Sequence, residues 1–147
     1  MERFVNAIKN YLDTENWYGA IVLSLIMPDI CGKIAYPTLN TSGERYRKWF
    51  DDYLSEYRPA TSMTASDCYA LRCSVLHAGT DDITEQGAKD TLEKFYFSTT
   101  GSHMIRIDEG LVVNVTRFCE EVIQAIEKWC KDVEGNENTQ KAIQELL

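Results

Sequence analysis

The segment Ala70-Leu71-Arg72-Cys73-Ser74-Val75-Leu76-His77-Ala78-Gly79 sets a guanidinium and an imidazole five residues apart at the end of a predicted helix. Helix carbonyls favour a cation in the last turn, and an imidazole placed there suits general-acid work near neutral pH. By helix geometry Arg72 and His77 are offset by a rise of about 7.5 Å and roughly 140° around the axis, so their side chains do not touch along a regular helix. A long Arg can still swing towards the His end, or an Arg from a second copy can complete the site. The plainer reading makes His77 a helix-terminal residue bonded to carbonyls and Arg72 a surface ion-pair partner of Asp67, Asp81 or Asp82.

Cys73 and His77 are i and i+4 and share a face, the spacing of a metal-ligand pair or a Cys–His nucleophile. Neither chemistry works with two residues alone, and only His103 and scattered cysteines remain to complete a site. We therefore expect no metal and no cofactor. Asp29, between Pro28 and Cys31, reads as a helix cap or as a buried polar group near the Arg72 helix. His103, in a Gly-Ser-His turn, is expected to face solvent. Arg45, Arg47 and Lys48 offer a local phosphate patch, although Glu44, Asp51 and Asp52 alternate with them as on a solvated mixed-charge face.

The elements that must position these residues follow from capping and periodicity. Phe4, Val5, Ile8, Tyr11 and Leu12 define a first helix, and Asp13 or Thr14 precedes a second apolar stretch with Trp17, Tyr18, Ile21, Val22 and Leu25. Pro28 predicts a bend into a short turn ended by Gly32. Thr41-Ser42-Gly43-Glu44 is a capping-box pattern before Tyr46, Trp49, Phe50, Tyr53, Leu54 and Tyr57, an aromatic stripe read as core with Pro59 as its stop. Thr64-Ala65-Ser66-Asp67 repeats the capping pattern for the helix of Arg72, with Cys68, Leu71, Val75 and Leu76 as its buried face and Gly79 as its C-terminal cap.

Residues 80–94 read as loop with a short helix at most. Phe95-Tyr96-Phe97, Met104-Ile105-Arg106-Ile107 and Leu111-Val112-Val113-Asn114-Val115 are strand-like runs. A last long helix with Phe118, Cys119, Val122, Ile126, Trp129 and Val133 takes Thr116 as its cap, and a short helix or tail closes the chain from Thr139. The predicted fold is mainly α: one domain over residues 1–147, a bundle of about five helices with a small antiparallel β-hairpin insert at about 95–115.

An Arg-x4-His near a helix end in a small helical domain resembles the HEPN superfamily. That resemblance implies a metal-independent endoribonuclease of toxin or defence systems, working as a homodimer on an RNA substrate. Arg72 would then hold the scissile phosphate and His77 would transfer the proton. Two departures from the pattern are visible. Cys73 stands where active members often carry a polar residue, and the strand-rich insert is additional to the minimal helical fold. The alternative is a noncatalytic helical module, or an inactive HEPN relative, that binds a protein partner.

Composition bounds these readings. The 147 residues are 44% hydrophobic and 26% charged, the balance of an ordinary globular domain. A net charge of −8 repels phosphate backbones at long range and leaves only a local basic cluster to hold them. Five cysteines without a Cys-x-x-Cys pair fit buried thiols rather than a disulfide framework. The N-terminus lacks a basic region followed by an apolar core, and Ala20 to Met27 is too short to cross a bilayer, so we expect a cytoplasmic protein without membrane contact.

Overall fold

The computed structural model describes residues 1–57 and 62–146. The helices are α1 (Glu2–Asp13), α2 (Trp17–Ala35), α3 (Ser42–Trp49), α4 (Ala65–Ala78), α5 (Val115–Asp132) and α6 (Glu137–Gln144). Three short strands, β1 (Lys94–Ser98), β2 (Ile105–Ile107) and β3 (Gly110–Asn114), lie between α4 and α5. The fold is thus mainly α with a small β insert.

α2 is the hub, packed against α1, α3, α4, α5 and α6. Its 19 residues are long and apolar enough, by length and composition, to cross a bilayer. Here Ala20, Ile21, Leu25, Met27 and Cys31 are buried in the bundle instead. The expected bend at Pro28 is absent: α2 runs through it and on to Ala35. An interior proline costs roughly 3 kcal/mol because it lacks a donor and crowds the preceding turn. Burying two or three large apolar side chains offsets that amount. Gly32, expected as a stop, serves contact instead, since a Cβ there would stand 2.6 Å from the carbonyl oxygen of Arg45 on α3.

Thr41 caps α3 with a complete capping box: its hydroxyl accepts from Glu44 N at 3.2 Å, and Thr41 N donates to Glu44 Oε2 at 2.9 Å. The aromatic stripe is core as expected, with Tyr46, Trp49, Phe50 and Leu54 buried. After Trp49 the helix widens into a π-helical turn at Phe50–Leu54 and then tightens at Ser55–Tyr57. Pro59, the expected stop, lies outside the described residues. The caps of two other helices also differ from expectation. Asn16 caps α2 by accepting from Gly19 N, while Thr14 ends α1; Asn114 rather than Thr116 caps α5, accepting from Arg117 N at 3.1 Å.

The strand order is β1-β3-β2, and the sheet is mixed. β2 and β3 form the expected antiparallel hairpin, with Asp108 at φ 52 in the turn. β1 adds to the other edge of β3 in parallel, Phe95 opposite Leu111 and Phe97 opposite Val113. Phe95, Leu111 and Val113 face the core, whereas Tyr96, Ile105 and Ile107 face outward. No helix occurs in residues 80–94. That segment is instead pinned by fully buried Ile83 and Leu92.

One buried carboxylate joins the two halves. Thr64 caps α4 by accepting from Asp67 N at 3.1 Å, but Asp67 does not return the bond to Thr64. Its Oδ1 turns inward and accepts the N–H groups of Asp90, Thr91 and Leu92 at 2.7, 3.1 and 3.3 Å, and the residue is fully buried. Charge-assisted bonds of this kind are the stronger class, and donors left unsatisfied in the interior are expensive. Asp67→Ala is expected to destabilise the fold by about 2–4 kcal/mol, with Asp67→Asn losing less because it keeps an acceptor oxygen. Urea denaturation is the measurement; a loss under about 0.5 kcal/mol for the alanine variant would show that the loop holds itself without Asp67.

Candidate functional site

The buried side of α4 is Ala65, Asp67, Cys68, Ala70, Leu71, Ser74 and Val75. What remains is an open stripe of Ser66, Tyr69, Arg72, Cys73, Leu76 and His77, each half-buried except His77, which is exposed. At 100° per residue Arg72 and His77 fall on its two borders, with Tyr69, Cys73 and Leu76 between them. The helix therefore presents both groups on one face, separated by the width of that face. Gly79 at φ 66 closes α4 as expected, its N–H bonding to Val75 O at 3.1 Å.

Arg72 is not a surface residue paired with Asp67, Asp81 or Asp82. Asp67 holds the 90–92 backbone, and the Asp82 side chain accepts from Thr84 N. The partner of Arg72 is Asp29 of α2, whose Oδ2 accepts from Nε at 2.7 Å, the two side chains being 21% and 16% exposed. Asp29 is thus a half-buried polar group near the motif helix, inside α2 and not at its cap. Nη1 also lies 3.9 Å from Cys73 Sγ. Because the carboxylate takes the Nε edge, the terminal nitrogens of the guanidinium remain for another acceptor.

Burial pushes the Asp29 carboxyl above its ordinary value of 3.8, against the lowering pull of the Arg72 charge and hydrogen bond and of Arg45. Its Oδ1 is buried without a hydrogen-bond partner among the described residues.

Two arginines of α3 complete the surroundings. Arg47 and Arg72 both lie against the Tyr69 ring, their guanidinium carbons 5.4 and 6.0 Å from its centre. Tyr46 meets the same ring edge-on at 5.2 Å. Gly43 makes room for this group, since a Cβ there would press on Tyr69 at 3.2 Å and on Arg47 at 3.3 Å. Arg45 turns its Nη1 to Leu39 O at 2.6 Å. Lys48 belongs to the mixed-charge face foreseen from the sequence, paired with Asp52 at 2.7 Å.

His77 makes no hydrogen bond or ion pair with the described residues, and it stands free in the last turn. His103, by contrast, is not in solvent. Its side chain is 8% exposed, with Nε2 2.9 Å from Glu121 Oε1, and Nδ1 accepts the Asn114 N–H at 3.1 Å. That acceptance places the ring proton on Nε2, donating to Glu121. With both nitrogens engaged, the imidazole latches β3 to α5 and has no lone pair for acid–base work.

Among the described residues no group of three or more His, Cys, Asp and Glu side chains could hold a metal ion, so the Cys73–His77 pair stays a pair. Cys31, Cys68 and Cys119 are buried, and burial pushes Cys119 up to about 11, which suits a packed thiol and not a nucleophile. The cavities of about 610 and 750 Å³ flank α6 and include neither Arg72 nor His77.

Tyr69 was missed by spacing alone, and Asp29 was singled out near the Arg72 helix without its pairing to Arg72. A usable signal existed for that pairing: Asp29 is the lone carboxylate in the apolar run from Ala20 to Ile34, and a charge in such a run requires a partner. Comparison with family models, with curated proteins and with solved structures finds no match to this chain.

The Asp29–Arg72 pair makes a pH-dependent statement. Between 3.8 and its raised folded value, the folded chain holds a proton on Asp29 that the unfolded chain releases, so this group favours folding more as pH falls through that window. In a carboxyl-carbon NMR titration Asp29 is expected to titrate above 3.8, and in Arg72→Gln higher still, because the attraction that lowers it is gone. An unchanged or lower midpoint in the variant would mean that Arg72 does not act on Asp29 in solution.

Proposed function

We propose that the chain is a HEPN-like, metal-independent endoribonuclease of toxin or defence type, acting in the cytoplasm as a homodimer through Arg72 and His77. The supporting observation is that both residues border one open stripe of α4, with Arg72 steadied at Nε by Asp29 and, among its outer nitrogens, only Nη1 engaged, by a long contact to Cys73 Sγ. A single helix face is too open to enclose a phosphodiester. A second copy laid against the stripe supplies the opposing wall and brings each Arg72 towards the other copy's His77.

In this reading the RNA 2′-hydroxyl attacks the adjacent phosphorus and the bond to the 5′-oxygen breaks. Arg72 binds the phosphate oxygens and stabilises the charge that grows on them, the role in which a fixed guanidinium outperforms an ammonium. His77 supplies a proton to the departing 5′-oxygen, and the 2′-hydroxyl proton leaves to a base, the second His77 or water. The products are a 2′,3′-cyclic phosphate and a free 5′-hydroxyl. Asp29 acts as a positioning residue for Arg72.

A second reading, a noncatalytic interaction module or inactive HEPN relative binding a protein partner, draws on two observations. Asp29 already neutralises part of the Arg72 charge, and the outer sheet face carries Tyr96, Ile105 and Ile107 at 43–52% exposure. The assay that separates the readings is RNA cleavage by the purified chain in the presence of a chelator. His77→Ala is expected to lower the rate by about 10²–10⁴-fold, the range for loss of a general acid, while the thermal melt stays that of the wild type because His77 is exposed. Equal cleavage by wild type and variant removes the enzyme reading.

A further inference from the structure

Arg47 is the cation in this region with neither a carboxylate at ion-pair distance nor a hydrogen-bond acceptor among the described residues. Arg72 has Asp29, Lys48 has Asp52, and Arg45 is spent on the Leu39 carbonyl. Arg47 is half-buried, and among the described residues no carboxylate lies within ion-pair distance of it. Glu44 and Asp51 attract it only from further away. A guanidinium that has surrendered part of its hydration without gaining an anion is a donor held in waiting, because its five N–H groups keep their demand for acceptors.

It is also held still. Stacking against Tyr69 and confinement beside Gly43 restrict a side chain that would otherwise sweep a large volume, which lowers the entropy lost when an anion docks. Arg72 lies against the same ring, so the two guanidinium groups are neighbours through Tyr69. In a chain of net charge −8, a pair of arginines meeting across two helices is a local exception to the repulsive field.

We infer that Arg47, held on Tyr69 beside Arg72, is a second phosphate-binding position, which seats the phosphate next to the scissile one in a single-stranded polynucleotide laid across α3 and α4. The choice of a polynucleotide rests on the ribonuclease reading above. The phosphate chemistry of Arg47 does not. A single strand is favoured because its backbone can bend into the junction of two helices, where a stiff duplex has no groove to match.

The experiment is fluorescence anisotropy of a labelled single-stranded 2′-deoxy oligonucleotide, which lacks the attacking hydroxyl and survives the measurement, over a series of salt concentrations. Arg47→Gln is expected to weaken binding about tenfold and to reduce the salt slope by about 0.7, the amount of one lost contact to a single strand. Arg47→Lys, which keeps the charge without the planar fork, is expected to preserve the slope while binding more weakly than wild type. Circular dichroism of both variants checks that the helices remain. Arg106→Gln, at the outer sheet edge where its partners are Thr91 and Glu109, is expected to change nothing.

Wild-type affinity and slope in Arg47→Gln overturn the inference, as does failure of the wild type to bind the oligonucleotide. Competition by inorganic phosphate alone at the oligonucleotide's own affinity overturns the strand assignment and leaves a single-anion site. The two readings fail separately: weakened binding by Arg47→Gln beside a wild type that cleaves no RNA supports the Arg47 position while the ribonuclease reading fails, and unchanged binding by Arg47→Gln beside a wild type that cleaves RNA does the reverse.

Discussion

The contact between α2 and α3 governs where every other candidate group can go. With hydrogen in place of a side chain at Gly32, the Arg45 carbonyl of α3 approaches to a distance no Cβ would tolerate. Asp29 lies one turn earlier on α2, and α4 packs against both helices, so the close approach brings a carboxylate of the hub helix within reach of Arg72. The same proximity sets Arg47 and Tyr69 side by side at the second glycine, Gly43. Two residues with no side chain thus determine where three charged ones meet, by letting backbones touch.

The charges obtained in this way are unevenly satisfied. Asp67 is buried with three backbone donors on one oxygen, an arrangement of positioned dipoles that replaces water well. Asp29 is half-buried with one guanidinium on Oδ2, and burial raises its affinity for a proton; each carboxylate keeps one buried oxygen without a hydrogen bond among the described residues, Oδ2 of Asp67 and Oδ1 of Asp29. The two differ in what they hold: Asp67 fixes the backbone of residues 90–92, whereas Asp29 fixes a side chain that borders the open face of α4.

Much of this was legible in the residues and some was not, for identifiable reasons. The capping box at Thr41, the aromatic core stripe from Tyr46, the Gly79 cap and the helical character as a whole follow from local spacing, and local spacing is what a chain displays. Pro28 misled because a proline rule describes an isolated helix, and α2 is packed against five neighbours. Asp67 matched a capping-box pattern, yet its carboxylate found better donors more than twenty residues downstream. His103 sat in a turn-like triplet but was drawn in by Glu121 of a later helix. The parallel pairing of β1 was hidden because strand-like composition names strands without ordering them. For the candidate site, Arg72 and His77 were readable as a pair, while the pairing of Asp29 with Arg72 and the place of Tyr69 required knowing which helices touch.

The order of strands bears on how the chain reaches this state. β1 leaves the core, the path crosses to the far edge for β2, and only then does β3 return between them, so Lys94 meets Gly110 sixteen positions later. Until that middle strand exists, β1 has no ladder and Phe95 has no wall. The β2–β3 hairpin can form locally, but the insertion of β3 beside β1 must close a longer loop before its first bond, as must the packing of α5 on α2. Conditions that slow or jam this insertion leave β1 without its ladder, and apolar residues such as Ile105 and Ile107 then offer their edge to other chains.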